Sequence, residues 1–130
     1  MRVLDSDHCI AILRGQLDLR DKVKPDDELA ITTISIGELA HGAHRSKSPA
    51  DNLARLDVLL AALIVLPYDE VSARRFGALK ASLEHAGTPL HDLDLQIASI
   101  AMENNAPFLT HNRKHFERIA SLTLEDWLDQ

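Results

Sequence analysis

The feature of this sequence that most constrains its fold is a regular exchange between two hydrophobic periods. Short apolar, β-prone runs recur along the chain, and the stretches between them carry apolar residues at the three-and-four spacing of an amphipathic helix. Strands separated by helices of about ten or more residues favour βαβ units and a parallel sheet. We therefore predict an α/β protein with three α/β/α layers and a central parallel sheet of four to five strands.

The two hydrophobic periods predict strands and helices at definite residue ranges. Four strands and a weaker fifth are predicted where the apolar runs fall, at residues 2–4, 29–32, 64–66, 107–110 and 122–124. Four helices are predicted where apolar residues follow the helical spacing, at residues 34–44, 50–63, 71–85 and 94–104. The polar stretch 17–28 is expected to form a surface helix or loop.

Chain length, hydropathy and cysteine content narrow the class of protein. A chain of 130 residues buries enough surface for one full core, so we expect a single domain over residues 1–130. The longest apolar run, residues 58–67, is about half a membrane span, and the single Cys9 allows no intrachain disulfide. We expect a cytoplasmic protein without membrane contact.

The charge balance is acidic, with 20 Asp and Glu against 14 Lys and Arg and a formal net charge of -6. Proteins that neutralise many phosphates usually carry an excess of basic residues. Taken alone, the net charge argues against a nucleic acid bound through bulk charge.

Four polar residues fall near predicted strand ends. Asp5 directly follows the first strand, Glu38 lies one turn into the helix after the second, Asp94 begins the helix before the fourth, and Asn112 follows the fourth. In an open parallel sheet, functional groups collect outside the carboxyl ends of the strands, where strand order reverses. Carboxylates brought together repel one another unless a cation holds them, and Mg²⁺ or Mn²⁺ suits such oxygen ligands.

Each acid also has a plain structural interpretation. Asp5 and Asp7 are good helix caps, Asp94 is a good N-cap, and Asp92 fits a solvated loop. Glu38 is harder to explain in this way, because it lies in an apolar, small-residue stretch where an inward carboxylate needs a partner.

Five blocks, in order along the chain, match one family pattern. They are residues 3–10 (VLDSDHCI), 34–43 (ISIGELAHGA), 87–98 (GTPLHDLDLQIA), 109–116 (LTHNRKHF) and 124–127 (LEDW). In these blocks the chain resembles the PIN-domain ribonucleases and, within them, the VapC-type toxins of toxin–antitoxin pairs.

The resemblance implies a metal-dependent endoribonuclease. It assigns Asp5, Glu38 and Asp94 as the acidic triad that binds Mg²⁺ or Mn²⁺, and Asn112 as a catalytic residue that orients a water or phosphate. Many relatives carry a fourth acid at the position of Asn112. Asp92 is then a candidate additional ligand.

Asp7 lies where relatives usually carry Asn, and it is a weaker candidate than Asp92 for the missing carboxylate, because we expect it to cap its helix.

The resemblance also implies substrate and partners. Structured RNA, in tRNA or rRNA loops, would be cleaved by a metal-activated water, and Arg45, Lys47, Arg113 and Lys114 are the RNA-contact candidates, although such residues also occur as solvated helix ends. A homodimer and a VapB-type antitoxin, which inserts a C-terminal segment into a groove and forms a larger assembly, are implied as well. The leucine stripe of residues 53–63 is a candidate dimer or antitoxin surface or a core-facing helix.

Two alternatives remain from the sequence. A receiver-type signalling domain would use Asp69, which follows the third predicted strand, as its phosphoacceptor. The second is a solitary PIN-like module, either an RNA-processing nuclease or a catalytically silent module that only binds RNA or protein, and the uncharged Asn112 leaves the silent form open.

Most of the negative net charge belongs to the acids of the predicted pocket. When Asp5, Asp7, Glu38, Asp92 and Asp94 are set aside from the 20 acids, 15 remain against 14 basic residues. The chain outside the predicted pocket is thus close to neutral, and the net charge no longer argues against an RNA substrate.

Overall fold

The computed structural model describes residues 1–128, which form one twisted parallel sheet with helices on both faces. The strands are β1 (Arg2–Leu4), β2 (Leu29–Thr32), β3 (Ile64–Leu66), β4 (Phe108–Leu109) and β5 (Leu124–Glu125), in the order β3-β2-β1-β4-β5. The helices are α1 (Ser6–Leu13), α2 (Thr33–Arg45), α3 (Pro49–Ala61), α4 (Glu70–His85), α5 (Asp92–Glu103) and α6 (Arg113–Phe116). The predicted three-layer α/β/α fold with a parallel sheet is confirmed.

The two faces of the sheet carry separate cores. Val3 faces a core with α4 and α5, whereas the next residue, Leu4, faces a core with α1, α2 and α3. Side chains alternate across a strand, so β1 contributes to both layers and its two apolar residues are fully buried. The leucine stripe of α3 belongs largely to the second core, with Leu56 buried and Val58 74% exposed. Among residues 1–128, no helix is both long enough and apolar enough to cross a bilayer.

Several local predictions need correction. The fifth strand begins at Leu124 and not at Leu122, because the Leu122 amide bonds to the Ile119 carbonyl in a turn and cannot join the ladder. Helix α5 begins two residues before the predicted start, since His91 is its N-cap, and Asp94 is therefore not a cap. The prediction of a surface helix or loop at residues 17–28 is confirmed, because this segment is irregular, with turns.

The N-cap of α1 was also misassigned to Asp7. The Asp5 carboxylate accepts the Ser6 amide hydrogen bond, so Asp5 caps the helix and Asp7 lies in its first turn. The capping residue needs extended backbone, and Asp5, directly after β1, has φ -74° and ψ 162°.

The strand order places a reversal beside β1. From β1 the chain moves to β2 and β3 on one side, and it returns to β4 and β5 on the other. The crevice between β1 and β4 is therefore the topological switch point, where open α/β sheets place their functional sites.

The same order excludes the receiver alternative. That fold has the order 2-1-3-4-5, in which β3 is next to β1. Here β2 lies between them, and Asp69 is the N-cap of α4, where its carboxylate accepts the Ser72 amide at 2.9 Å.

Candidate active site

Asp5 occupies the switch point. Leu4 of β1 is in register with Leu109 of β4, so the residues that follow them, Asp5 and Thr110, lie side by side. The Thr110 hydroxyl donates to Asp5 Oδ2 at 2.7 Å, while Oδ1 accepts the Ser6 amide at 2.8 Å. Both carboxylate oxygens are thus oriented by the two segments that form the crevice.

The environment of Asp5 disfavours its negative charge. Its pKa is raised from 3.8 to about 6, chiefly because the carboxyl is buried and also because Asp7 and Glu38 are negatively charged neighbours. The hydrogen bonds from Thr110 and Ser6 oppose this rise only in part. A carboxylate held in such a place gains from a nearby cation.

Glu38 reaches the same crevice from α2. The Ser6 hydroxyl, which lies 3.5 Å from Asp5 Oδ1, donates to Glu38 Oε1 at 3.3 Å and so spans both acids. Although the residue as a whole is exposed, partial burial of its carboxyl raises the pKa of Glu38, and the charge of Asp94 raises it further. Glu38 is therefore coupled to both Asp5 and Asp94.

Asp94 is fixed by a histidine that sequence reasoning did not connect with it. His115 of α6 lies with its Nε2 2.9 Å from Asp94 Oδ2, and both side chains are about three-quarters buried. In the sequence, His115 is one of several basic residues after Asn112, and only the packing of α6 reveals its partner.

Thr110 and Asn112 form the β4–α6 loop together with His111. The backbone amide of Asn112 donates to the Thr110 hydroxyl at 3.1 Å. The Asn112 side chain is exposed and does not cap α6. Thr110 is fully buried and was missed by sequence reasoning. Its signal was available, because it follows β4 directly, as Asp5 follows β1.

The two candidates for an additional acid have other partners. Asp92 forms an ion pair with Lys80 of α4 at 2.9 Å, and its side chain is 53% exposed. Asp7 accepts hydrogen bonds from the His111 amide at 2.9 Å and from His8 at 2.7 Å. A metal ion at either residue would share the carboxylate with these partners.

The basic candidates divide into two groups. Arg113 and Lys114 are exposed on α6, immediately after the carboxyl end of β4 and next to the crevice. Arg45 lies seven residues after Glu38 on α2, which is about 10 Å along the helix axis, and Lys47 lies beyond the end of the helix. Proximity to the acids therefore favours Arg113 and Lys114.

The chain matches a known family over most of its length. The family model described as PIN domain covers residues 2–122. This chain belongs to the PIN-domain family. The match covers every strand except β5 and all four of the residues expected to form the site.

Named relatives of this PIN domain are ribonucleases. It is 32% identical over 127 residues to the "tRNA(fMet)-specific endonuclease VapC" of Salmonella typhimurium, with 96% of each chain covered. It is 31% identical over 129 residues to "Ribonuclease VapC2" of Rickettsia felis, again with 96% of each covered. The resemblance to VapC proteins seen in the sequence is confirmed.

Solved structures similar to this PIN domain are toxin–antitoxin complexes. The DNA-bound VapBC of Salmonella typhimurium matches with a TM-score of 0.90 and 32% identity, covering 98% of this chain and 99% of that one. VapBC2 of Rickettsia felis, bound to a promoter fragment, matches with a TM-score of 0.89 and 30% identity, covering 97% and 98%.

The chemistry of the PIN domain's acids fits a divalent cation, whereas a closed cage is not formed. Among residues 1–128, no three carboxylate, imidazole or thiol groups converge closely enough to enclose a metal ion. Mg²⁺ does not need such a cage, since it keeps several waters and is usually held by one or two carboxylates. The raised pKa values of Asp5 and Glu38 are the observation that favours a cation here.

Proposed function

We propose that this chain is a metal-dependent endoribonuclease and the toxin of a VapBC-type toxin–antitoxin pair, with one nuclease domain spanning residues 1–130. The observation that carries the proposal is the placement of Asp5 and Glu38 on either side of the Ser6 hydroxyl at the switch point, with Asp94 near Glu38. Burial and, after it, neighbouring negative charges raise the pKa values of Asp5 and Glu38 there. The names of the VapC relatives support RNA as the substrate.

Asp5, Glu38 and Asp94 would hold the metal, Mg²⁺ or Mn²⁺, and each has a distinct local restraint. Thr110 orients Asp5, Ser6 orients Glu38, and His115 orients Asp94. When bound, the ion supplies an activated water and neutralises charge on the phosphate. Attack by water breaks the P–O3′ bond and leaves a 5′-phosphate and a 3′-hydroxyl, so the RNA 2′-hydroxyl is not the nucleophile.

The remaining site residues bind the substrate. Asn112 points its exposed amide toward solvent at the start of α6, where it can orient a water or a phosphate oxygen. Arg113 and Lys114 follow it and supply phosphate contacts. Asp92 is the candidate additional ligand, and a metal ion there would share its carboxylate with Lys80.

The substrate we propose is a tRNA loop, cleaved in the cytoplasm. Bases are readable where they are unpaired and splayed out, which favours a loop over a helix. The relatives named for tRNA(fMet) favour tRNA over rRNA.

The partner we propose is a VapB-type antitoxin. A groove of about 320 Å³ runs between α1, α2 and α3, and its lining includes Ile10, Gly42, Arg55 and Leu56. Glu38 lies on the same lining, so a segment seated in the groove reaches the candidate site. The VapBC complexes among similar structures support this partner, and we propose a homodimer of the toxin within the larger assembly.

Mapping RNA ends after induced expression tests the proposed function. Wild type is expected to produce new 5′-phosphate ends within a small set of tRNA loops, whereas Asp94→Asn produces none at equal protein level. The matched control is Asp21→Asn, which makes the same chemical change at an exposed position between α1 and β2.

The second candidate function is an RNA-binding or RNA-processing PIN module without a toxin role, which the uncharged Asn112 favours. RNA retention without new ends would support binding alone. New ends in precursor RNA without growth arrest would support processing. Either result would contradict the toxin proposal.

A further inference from the structure

Asp7 and His8, at the start of α1, contact two distant segments of the chain. Asp7 accepts the amide of His111, 104 residues away, and His8 accepts the amide of Trp127, 119 residues away. His8 is fully buried, and the carboxyl of Asp126 beside it is 3% exposed. None of these contacts involves the side chains of Asp5, Glu38 or Asp94.

The hydrogen bonds assign the state of the imidazole. A backbone N–H can only donate, so the Trp127 amide, 3.0 Å from His8 Nε2, requires an unprotonated Nε2. The ring proton of the neutral form then lies on Nδ1, which is 2.7 Å from Asp7 Oδ1 and donates to it. The second oxygen of Asp7 accepts the His111 amide at 2.9 Å, so two donors meet the two oxygens of one side chain.

This chain of contacts reaches the candidate site through the β4–α6 loop. Asp7 holds the middle residue, His111, while Thr110 donates to Asp5 at 2.7 Å and accepts the Asn112 amide at 3.1 Å. The three consecutive residues of the loop are thereby tied to the first turn of α1. His111 is further held by Asp126, whose Oδ2 lies 3.0 Å from its Nδ1.

We propose that Asp7 and His8 form a clasp that fixes the β4–α6 loop and the segment at Trp127 against the first turn of α1, and that both are positioning residues of the ribonuclease site. The catalytic part of this inference rests on the proposed function. In the clasp, Asp7 accepts from His8 and His111 and is not the replacement for the acid missing at Asn112.

The substitution Asp7→Asn exchanges the carboxylate for a carboxamide of the same size and shape, and we expect it to break the clasp. The carboxamide offers one acceptor oxygen where two donors, His8 Nδ1–H and the His111 amide, must be accepted. If His8 changed tautomer to accommodate the new NH₂ group, its Nε2–H would face the Trp127 amide, donor against donor. In every arrangement, at least one of the three donors (the His8 ring N–H, the His111 amide and the Trp127 amide) loses its protein acceptor.

The first experiment uses the wild-type protein, so it does not depend on a variant that folds. A long-range imidazole ¹⁵N–¹H spectrum is expected to show His8 with a proton on Nδ1 and none on Nε2. A proton on Nε2 would overturn the clasp.

The second experiment compares wild type, Asp7→Asn and the control Asp21→Asn. In Asp7→Asn, amide hydrogen exchange at His111, Asn112 and Trp127 is expected to accelerate about tenfold or more, as for the loss of one buried hydrogen bond, while exchange in β2 and β3 stays as in wild type. Exchange that is unchanged at all three amides, or that rises equally throughout the sheet, would overturn the proposal.

The third experiment separates a positioning residue from a metal ligand. Mn²⁺ binding, followed by the electron paramagnetic resonance of the free ion, is expected to stay within about threefold of wild type in Asp7→Asn, while kcat for tRNA falls by about tenfold or more. A large loss of Mn²⁺ affinity with rescue of kcat by excess metal would make Asp7 a ligand, and an unchanged kcat would remove its positioning role. If wild type itself cleaves no RNA, the proposed function fails, whereas the spectrum and the exchange rates still decide whether the clasp exists.

Discussion

At the scale of single residues, the proposed metal site is characterised by the free-energy cost of holding Asp5 ionised. Burial and the charges of Asp7 and Glu38 raise its pKa to about 6, against 3.8 for the free side chain. Two units of pKa correspond to about 3 kcal/mol, and the partly open site reduces this to about 2 kcal/mol. The ionised Asp5 side chain therefore destabilises the metal-free folded state, and the same electrostatic environment favours a bound cation.

The sign of the pH dependence follows from the same shift. Between pH 4 and 6 the folded state binds the Asp5 proton more tightly than the unfolded state, so the free energy of unfolding of the metal-free protein should fall as pH rises through that range. Urea titrations with EDTA at pH 5 and pH 7.5 should show this component. Added Mg²⁺ should restore stability at pH 7.5.

Asp5→Asn should therefore stabilise the metal-free protein at pH 7.5 by about 2 kcal/mol while its effect at pH 4.5 is much smaller. Asparagine is as good an N-cap as aspartate, and the Thr110 hydroxyl can rotate to accept from the amide. Urea midpoints at both pH values check the prediction. Equal shifts at the two pH values would show that the Asp5 charge is not the cause.

Single-residue roles were predicted from the sequence only in part. Asp5 and Glu38 could be placed near the site because each lies close to the end of a strand. Thr110 could have been placed in the same way, because it directly follows β4. The partners His115 and His8 could not, since their contacts join residues 21 and 119 positions apart. Such pairs depend on packing and carry no local signal.

At the scale of elements, the site is a joint between β1 and β4. The register of Leu4 with Leu109 places Asp5 beside Thr110, and the loop after Thr110 leads into α6, which carries His115 to Asp94. Two short elements thus restrain two of the proposed metal ligands. The hydrophobic periodicity of the sequence predicted the first four strands well. The predicted N-caps of α1 and α5 were wrong, because several acids were equally suited to a capping role.

Thr110→Val tests the joint, with Thr110→Ser as its matched control. Valine keeps the shape but leaves the backbone amide of Asn112 without its acceptor and Asp5 without its donor, so we expect a loss of about 1–3 kcal/mol of unfolding free energy and a further rise in the Asp5 pKa. Serine should retain most of both. Equal stability of the two variants by urea denaturation would contradict the role of the hydroxyl.

His115→Ala and His115→Gln test the contact between α6 and α5. Loss of the partner of a metal-binding carboxylate typically costs 10- to 100-fold in affinity or activity, and we expect a loss in that range, about tenfold or more, for the alanine variant. Glutamine can still place a donor near Asp94 Oδ2 and should recover part of the loss. Mn²⁺ binding and cleavage rate should change together, and a change in neither would make the contact incidental.

At the scale of the whole molecule, the net charge of -6 does not describe the surface that RNA meets. Acidic residues concentrate at the carboxyl edge of the sheet, where a cation would offset them, and Arg113 and Lys114 stand beside them. Few basic residues flank the site, so binding should depend on salt through a small number of phosphate contacts. The groove between α1, α2 and α3 is a separate surface that borders the site at Glu38.

Gly42→Leu separates antitoxin binding from catalysis. Gly42 lines the groove, an added Cβ there meets no atom within 4 Å, and a leucine is favoured over glycine in a helix. The variant should fold and cleave RNA as wild type does, yet bind a coexpressed VapB-type antitoxin at least tenfold more weakly. Neutralisation equal to that of wild type would place the antitoxin elsewhere.

The most direct test of the central claim is the single-turnover rate of tRNA cleavage by purified protein as a function of Mg²⁺ concentration. Wild type should show a saturable dependence on Mg²⁺, no cleavage in EDTA and products with 5′-phosphate ends. Asp5→Asn, although more stable at neutral pH, should lose cleavage by about a thousandfold or more, because it cannot supply a charged ligand. Cleavage that persists in EDTA, or in Asp5→Asn at the wild-type rate, would contradict the account.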